Sequence, residues 1–587
     1  MGATSVICSD KTGTLTKNEM TVRHIVTAGS VTAISGSGYA PEGAIAAKNG
    51  SAPPPDTARD TLVRAALLCN DARLMERDGQ WSVLGDPMEG ALVILAAKAG
   101  LHPETERASW SRLDEIPFDA QHRFMATLHS GPDGTRRIFV KGAPERVLAM
   151  CTEQAGDDGT SAVDHDYWRE RIDTAAGEGE RVLGFAMGTV GTDVERLTFG
   201  MVETGLTFLG IAGFIDPPRE EAMAAVAECR SAGIAIKMIT DDHNGTAVAI
   251  ARKLAIADAP KALDGSALDA MSDEDLRRTV EEVSVFARTT PEHKLRIVRA
   301  LQANGYVVAM TGDGVNDAPA VKQADVGVAM GYKGTEAAKE AAQMVLLDDN
   351  FASIVAAVRE GRTVYDNIRK VIMWELPTNG AETLSVLFAV AIGATLPMTP
   401  IQILWMNMIL TVTLGLVLAF EPSETDVMRR PPRRRDAPIL SRFLVWRITF
   451  VSFVFMLGVF GIFEYALRSG YSEAGARTMV VNMLVVMEIF YLFNVRYLHR
   501  TSFSLAGAMG TPAVLAAIAV VVIAQLLFTF APFMRDIFGT APIALPDGLV
   551  VLAIGLLTMV ILECEKMLIQ RARPQTQEGN AASAPAC

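Results

Sequence analysis

At 587 residues the chain exceeds what one hydrophobic core holds, since cores stop growing at roughly 250 to 300 residues, so several domains are expected. Half of the residues are apolar, yet the formal net charge is −13, a pairing that suits a chain partly dissolved in lipid and partly in water. The acidic balance, with no basic tract of interleaved aromatics, argues against nucleic acid as a partner, and six scattered cysteines without CxxC or Cys/His spacing favour neither a zinc site nor a disulfide framework.

A short apolar strand, residues 5–8, runs straight into SDKTGTLTKNEM, only nine residues after the chain opens. Further strand candidates at 206–213, 234–239 and 307–310 each precede an acidic or Gly-rich loop, and helical patterns at 220–232 and 291–304 lie between the later ones. This β-α-β alternation predicts a parallel sheet covered by helices, with the site at the carboxyl ends of the strands. Residues 31–204 interrupt the pattern with their own strands and with loops such as KNGSAPPPDTA, and read as an inserted domain between 1–30 and 205–360. From Phe351 a helical pattern passes from charged into apolar sequence. Apolar spans at about 372–393, 400–420, 443–467, 477–495, 512–534 and 547–569 predict six crossings within a membrane domain of 361–570. Arginines clustered after the second span, Arg429 to Arg442, put that loop on the cytoplasmic side with the soluble half. The tail, 571–587, is rich in Ala, Gln and Ser and reads as disordered.

Asp10, at the end of a buried strand and followed by Lys11-Thr12-Gly13-Thr14, is arranged to act as a carboxylate nucleophile beside backbone N–H groups that can face a phosphoryl group. A lone Asp of this kind more often caps a turn. Here a second acidic loop, ThrGlyAspGlyValAsnAspAlaPro at 311–319, follows another buried strand. Asp313 and Asp317 are then expected to converge where Mg2+ must offset phosphate charge.

DKTGTLT together with GDGVNDAP resembles the signature of P-type ATPases, within the haloacid dehalogenase-like superfamily, and the resemblance extends along essentially the whole chain. It implies a Rossmann-like α/β phosphorylation domain, an inserted α+β nucleotide domain and an all-α membrane domain. It further implies that Asp10 is phosphorylated, that the Thr12 carbonyl and Asp313 join Asp10 around Mg2+, and that Thr240 and Lys294 contact the phosphate. Lys11, Asp242, Asn316 and Asp317 complete the implied catalytic set. Superfamily phosphatases usually carry a second Asp two residues after the nucleophile as general acid and base; Thr12 cannot serve so, which favours a longer-lived aspartyl phosphate.

The inserted domain carries GDPMEGA at 85–91, IPFD at 116–119 and FVKGAPE at 139–145, similar to nucleotide-domain motifs of type II pumps. The matching positions are Glu89, Phe118, Arg123, Lys141, Gly142 and Arg181. Phe118 would stack on the adenine of ATP, Lys141 would line the base pocket and Arg181 would reach phosphate oxygens. A Walker A loop is absent.

Inside the spans, Asn379 and Glu382 lie three apart on one helix, Asn407 is in the second span, and Glu488 and Asn494 are in the fourth. A mid-bilayer carboxylate costs about 2.5–3.5 kcal/mol on insertion scales, so such residues face a pathway or a partner. Interhelical hydrogen bonding suits Asn407 and Asn494 equally well. Glu382 and Glu488 match oxygen-ligand positions of type II calcium pumps. Thr411 stands where such pumps usually have an Asp, and Asp241 stands where the family has the Gly of ThrGlyAsp.

The family also begins with four membrane helices and an actuator domain bearing a ThrGlyGlu loop, none of which is in this chain. The expectation is therefore a fragment, with a separately encoded amino-terminal half as a partner. The implied reaction is ATP hydrolysis coupled to cation movement across the plasma membrane. Calcium comes first, with sodium, potassium or proton as alternatives. A tethered phosphatase of the same superfamily, a lipid-flipping member and a non-catalytic remnant are the rival readings.

Overall fold

The computed structural model describes residues 1–36, 38–47, 56–77, 79–119, 121–156, 159–497 and 510–572. The tail from 573 onward, expected to be disordered, lies outside them. Two compact units emerge: Thr4–Ala356 with Arg429–Pro432, and Met1–Ala3 with Ala357–Met428 and the residues from Arg433 on.

The first unit holds two large sheets. One has seven strands, all parallel, in the order Ala262–Asp264, Val285–Ala287, Ala235–Ile239, Val6–Asp10, Val308–Gly312, Val326–Met330 and Met344–Leu346. Its strands are near-continuous apolar runs because helices such as Glu220–Ser231 and Pro291–Ala303 pack on it. Val6, Ile7 and Cys8 are fully buried. Val6–Asp10 is the central strand, and its neighbours on the two sides come from far along the chain. Such a reversal of strand order opens a crevice beyond the carboxyl ends, and Asp10 is the last residue of the strand.

The second sheet is mainly antiparallel and ten-stranded. Its path runs Ile45–Ala47, Val31–Ile34, Thr21–Val26, Leu206–Ile215, Arg181–Val190, Arg136–Gly142, Phe124–Ser130 and Ser111–Asp119, with Cys151–Gly156 and Gly159–Ala162 attached beside Leu206–Ile215. Leu206–Ile215 thus differs from its expected place in the parallel sheet. It is almost wholly buried, and a buried apolar run fits a central strand of either sheet, so its sequence does not name its partners. One face packs against helix Thr57–Leu68 through Leu62, Phe139 and Phe185; the other buries Trp168, whose ring meets Phe208 edge-on at 4.7 Å.

The second unit is helical. Among the described residues five helices are long and apolar enough to cross a membrane by length and composition: Pro400–Ala419, Arg442–Arg468, Glu473–Val495, Pro512–Phe530 and Leu545–Ile569. The expected first crossing falls in the 42-residue helix Phe351–Ile392, which is not among the five. Glu473–Val495 is the most buried of them and forms the centre of the bundle. Pro377, inside Phe351–Ile392, has no N–H to give to the carbonyl of Met373 one turn back, and the Tyr491 hydroxyl donates to that carbonyl at 2.6 Å. Asn494 bridges Arg447 and Glu563, and Arg496 forks onto Glu421 at 2.9 Å. The first is a polar tie between helices, and the second joins the segments that follow Leu416–Ala419 and Glu473–Val495.

In the first unit His24 Nδ1 meets Glu180 Oε1 at 2.7 Å, tying strand Thr21–Val26 to the start of Arg181–Val190. The Glu180 hydrogen bond, set against partial burial, raises the His24 pKa above its ordinary value. A raised folded pKa means the pair stabilises fully below about pH 6.5 and loses that contribution as pH rises through the folded value. Glu180→Gln is expected to return the His24 titration, followed by NMR, toward 6.5 and to flatten this part of the stability profile.

Candidate functional site

The site grows from the end of Val6–Asp10. Thr12 is extended and Gly13 adopts φ +74°, a left-handed conformation that lets the chain turn directly behind the nucleophile. The Thr12 N–H donates to Asp10 Oδ1 at 3.3 Å. The Thr16 hydroxyl accepts from the Gly13 N–H and donates to Asp216 Oδ2 at 2.5 Å. Arg219 Nε and Nη2 donate to the carbonyls of Thr16 and Gly13 at 3.1 and 3.3 Å. The turn is therefore held from both sides by the AspProProArg segment at 216–219.

Lys294, on helix Pro291–Ala303, reaches Asp10 Oδ2 at 2.8 Å and Asp317 Oδ1 at 2.6 Å. Asp317 Oδ2 accepts the backbone N–H groups of Asp313 and Gly314 at 3.2 and 3.1 Å, so its carboxylate is fully engaged. Carboxylate oxygens of Asp10, Asp313 and Asp317 lie within 4.8 Å of one another. Burial, only partly offset by Lys294, pushes the Asp10 carboxyl above the usual range. Burial and the charges of Asp10 and Asp317 do the same to Asp313. Burial works against the charge of Lys294, yet the two carboxylates outweigh it and hold the ammonium above its ordinary pKa. Three acids sharing one ammonium form an oxygen-only, electron-rich pocket of the kind hard cations occupy. The residues fit Mg2+, with Asp10 and Asp313 having oxygens to offer and Asp317 holding the loop.

Beside this cluster Lys11 Nζ lies 2.8 Å from Asp242 Oδ2 and 3.8 Å from Asp216, and Arg181 Nη2 lies 2.8 Å from Asp242 Oδ1. Burial opposes ionisation of Asp242, but Lys11 and Arg181 prevail and hold its pKa below the usual carboxylate value. A cleft lined by Lys11, Thr12, Asp86, Arg181, Asp216 and Asp242 opens there. Thr240 is buried, and its hydroxyl accepts the Asp242 N–H at 3.1 Å. Asn316 and Asp241 are exposed, and neither side chain has a hydrogen bond or ion pair among the described residues.

The nucleotide candidates fall into separate groups. Lys141 and Glu89 form an ion pair at 2.5 Å, with the Asp71 N–H on the other Glu89 oxygen at 3.0 Å. Phe118 is 63% exposed, unusual for a large aromatic and suited to receiving a flat ligand. Arg123 has φ +60°, and its carbonyl closes over Gly142, where no Cβ would fit. Arg181 stands with Asp242 instead of with Lys141.

Of the membrane residues, Asn407 Nδ2 donates to Glu382 Oε2 at 3.1 Å, and Asn379 Nδ2 donates to Glu375 Oε2 at 3.3 Å. Glu488 is buried, and the charges of Glu382 and Glu375 reach it. Thr411 is exposed, at the start of a π-helical turn over Thr411–Gly415.

Residues 59–221 match the family model described as P-type ATPase, cytoplasmic domain N, and residues 395–568 match that described as Cation transporting ATPase, C-terminus. A probable cation-transporting ATPase F of Mycobacterium bovis is 43% identical over 585 residues, covering 98% of this chain and 64% of that protein. A cation-transporting ATPase of Synechocystis is 43% identical over 557 residues, covering 92% of this chain and 61% of the relative. A calcium-transporting ATPase of Bacillus subtilis is 38% identical over 574 residues, covering 96% and 64%. The chain belongs to the P-type ATPases. It spans slightly under two thirds of the length of these relatives, and it is of the type II group.

As a P-type ATPase it is an integral membrane protein with cytoplasmic soluble domains. AspProProArg at 216–219 reads from sequence as a rigid turn on the hinge side of the phosphorylation domain, and the structure sets its Asp216 and Arg219 as braces of the loop behind Asp10. Sequence reasoning passed over Glu375.

Thr16→Val leaves the Gly13 N–H without its acceptor and the Asp216 carboxylate without its donor. It is expected to lower stability by about 1–3 kcal/mol. Denaturant unfolding of the purified variant followed by tryptophan fluorescence measures it, and an unchanged midpoint would show that the bond carries no stability.

Proposed function

We propose that Asp10 takes the γ-phosphoryl group of ATP and that the resulting aspartyl phosphate drives movement of a cation across the plasma membrane. The observation that carries this reading is the gathering of Asp10, Asp313, Asp317 and Lys294 at the end of the central strand of a parallel sheet. In it, Asp10 attacks the γ-phosphorus in line, the bond to the ADP oxygen breaks, and ADP leaves with that electron pair. Lys294 draws charge from the equatorial oxygens and partly offsets the burial that raises the Asp10 carboxyl. Asp10, Asp313 and the Thr12 carbonyl would hold Mg2+, which would supply further charge neutralisation there. Thr240, Asn316 and the Lys11–Asp242–Arg181 group flank the phosphoryl path, with Arg181 poised to exchange Asp242 for a phosphate oxygen.

On this reading the seven-stranded parallel sheet with its helices forms a haloacid dehalogenase-like phosphorylation domain, and the ten-stranded sheet, entered at Thr21–Val26 and left at Leu206–Ile215, belongs to the nucleotide domain, where Phe118 stacks on adenine above Lys141, Glu89, Arg123 and Gly142. Residues 361–570 cross the membrane six times, the first crossing being the second half of Phe351–Ile392. Glu382, Glu488, Asn379 and Asn407 line the cation path, and the names of the Bacillus relatives favour calcium. The part of the relatives beyond this chain, on the same polypeptide or a separate one, positions the water that hydrolyses the phosphoenzyme.

Labelled ATP with Mg2+ should give an acid-stable, hydroxylamine-labile phosphoprotein, and Asp10→Asn should remove it entirely. Label persisting in that variant refutes the assignment of the nucleophile.

Loss of base stacking in Phe118→Ala is expected to weaken ATP binding by about 1–3 kcal/mol while leaving the protein fold intact. Titration with a fluorescent ATP analogue reads this directly; equal affinity would mean that adenine binds elsewhere.

A further inference from the structure

Glu375, Asn379 and Glu382 lie at positions i, i+4 and i+7 of Phe351–Ile392, which places all three on one face of the helix. Asn379 and Asn407 each give a side-chain N–H to a carboxylate, to Glu375 and Glu382 respectively. Each amide is left with a carbonyl oxygen that has no partner among the described residues. Glu375 also lies against Gly415, where an added Cβ would come within 2.8 Å of its Oε1. A side chain there would push the carboxylate from its present position. Gly415 closes the π-helical turn that begins at Thr411, and such turns disturb the helical carbonyl ladder where function needs it.

Glu488 faces this group from helix Glu473–Val495. It is 3% exposed and makes no side-chain hydrogen bond or ion pair among the described residues. Nor does any Lys, Arg or His pair with Glu375, Glu382 or Glu488 there, although other buried acids in the same unit are paired, Glu421 with Arg496 and Glu565 with Arg447. Three carboxylates in one apolar bundle, two of them bonded by amides and none paired with a cationic side chain among the described residues, call for a bound cation.

We propose that Glu375 is a direct ligand of the transported cation, supplying the hard anionic oxygen that Thr411 cannot. This rests on the cation-pump reading above. With Glu375 the donors are three carboxylates and two amide carbonyls, an all-oxygen set of high charge that selects a divalent ion of calcium's size over a monovalent one.

The test is radioactive calcium binding to the purified chain in lipid nanodiscs, with MgATP affinity measured on the same samples. Glu375→Gln, which keeps the side-chain length and removes the charge, is expected to weaken calcium binding at least about tenfold with MgATP affinity unchanged. Glu375→Asp should lose less. If Glu375→Gln binds calcium as tightly as the unaltered chain while Glu382→Gln does not, Glu375 only holds Asn379 and the proposal falls, leaving the pump reading intact. Should Glu375→Gln also lose MgATP, Glu375→Asp decides: unchanged calcium affinity with intact MgATP binding overturns the proposal, and a selective loss of calcium supports it. Absence of saturable calcium binding in the unaltered chain overturns the proposal, while the pump reading stands or falls on the phosphoprotein label.

Discussion

Lys294 stands between two carboxylates, 2.8 Å from Asp10 and 2.6 Å from Asp317, and one ammonium cannot balance the three acids gathered there. That imbalance sets the demands on the rest of the soluble unit. The sheet must present Asp10 on a strand flanked by partners on both sides, so that the backbone does not move when charge arrives. The N–H groups of Asp313 and Gly314 fix Asp317 by the oxygen that Lys294 does not take. The remaining negative charge is what gives the crevice its appetite for a metal ion.

The loop behind Asp10 is held by residues two hundred positions away. After Thr16 the chain enters strand Thr21–Val26 of the ten-stranded sheet, and it leaves that sheet through Leu206–Ile215. It then returns to bridge Thr16 with Pro218. Departure and return are adjacent antiparallel strands, so the large excursion is pinned at its base by a ladder of main-chain bonds. Arg219 and Asp216 close the base on the phosphorylation loop itself. A ligand that displaces the ten-stranded sheet acts on the nucleophile through this short, bonded stem, and Arg181, bonded to Asp242, adds a second tie.

The residues legible in the sequence were those whose chemistry fixes their immediate neighbours. Asp10 needs Gly13 for its turn, and Asp317 needs Gly314 and Asp313 for its N–H groups, so both loops appear as compact motifs. Lys294 could be placed only through a family resemblance, because nothing around it in helix Pro291–Ala303 marks it as buried against acids. What the sequence did not reveal was pairing over distance. Leu206–Ile215 is a buried apolar run equally at home in either sheet, and Arg181 was assigned to the nucleotide while its present partner is Asp242. Glu375 follows closely on Arg369 and Lys370 and so reads as one more charge at the end of a charged stretch, until Asn379 and Gly415 are seen beside it. Asp241 departs from the family pattern and is exposed, its side chain making no hydrogen bond or ion pair among the described residues.

The hydroxyl of Tyr491 on the carbonyl that Pro377 leaves without a donor has a bearing on how this bundle can diverge. Proline and tyrosine sit on different helices more than a hundred positions apart, yet neither is neutral to the other. While the proline is present, loss of the hydroxyl strands a carbonyl in an apolar interior. Once the proline is replaced by a residue with an N–H, the helix satisfies itself and the hydroxyl becomes dispensable. The two positions therefore form an ordered pair in evolutionary time: a lineage that gives up the tyrosine must first give up the proline, and descendants carrying the proline with phenylalanine opposite should be scarce.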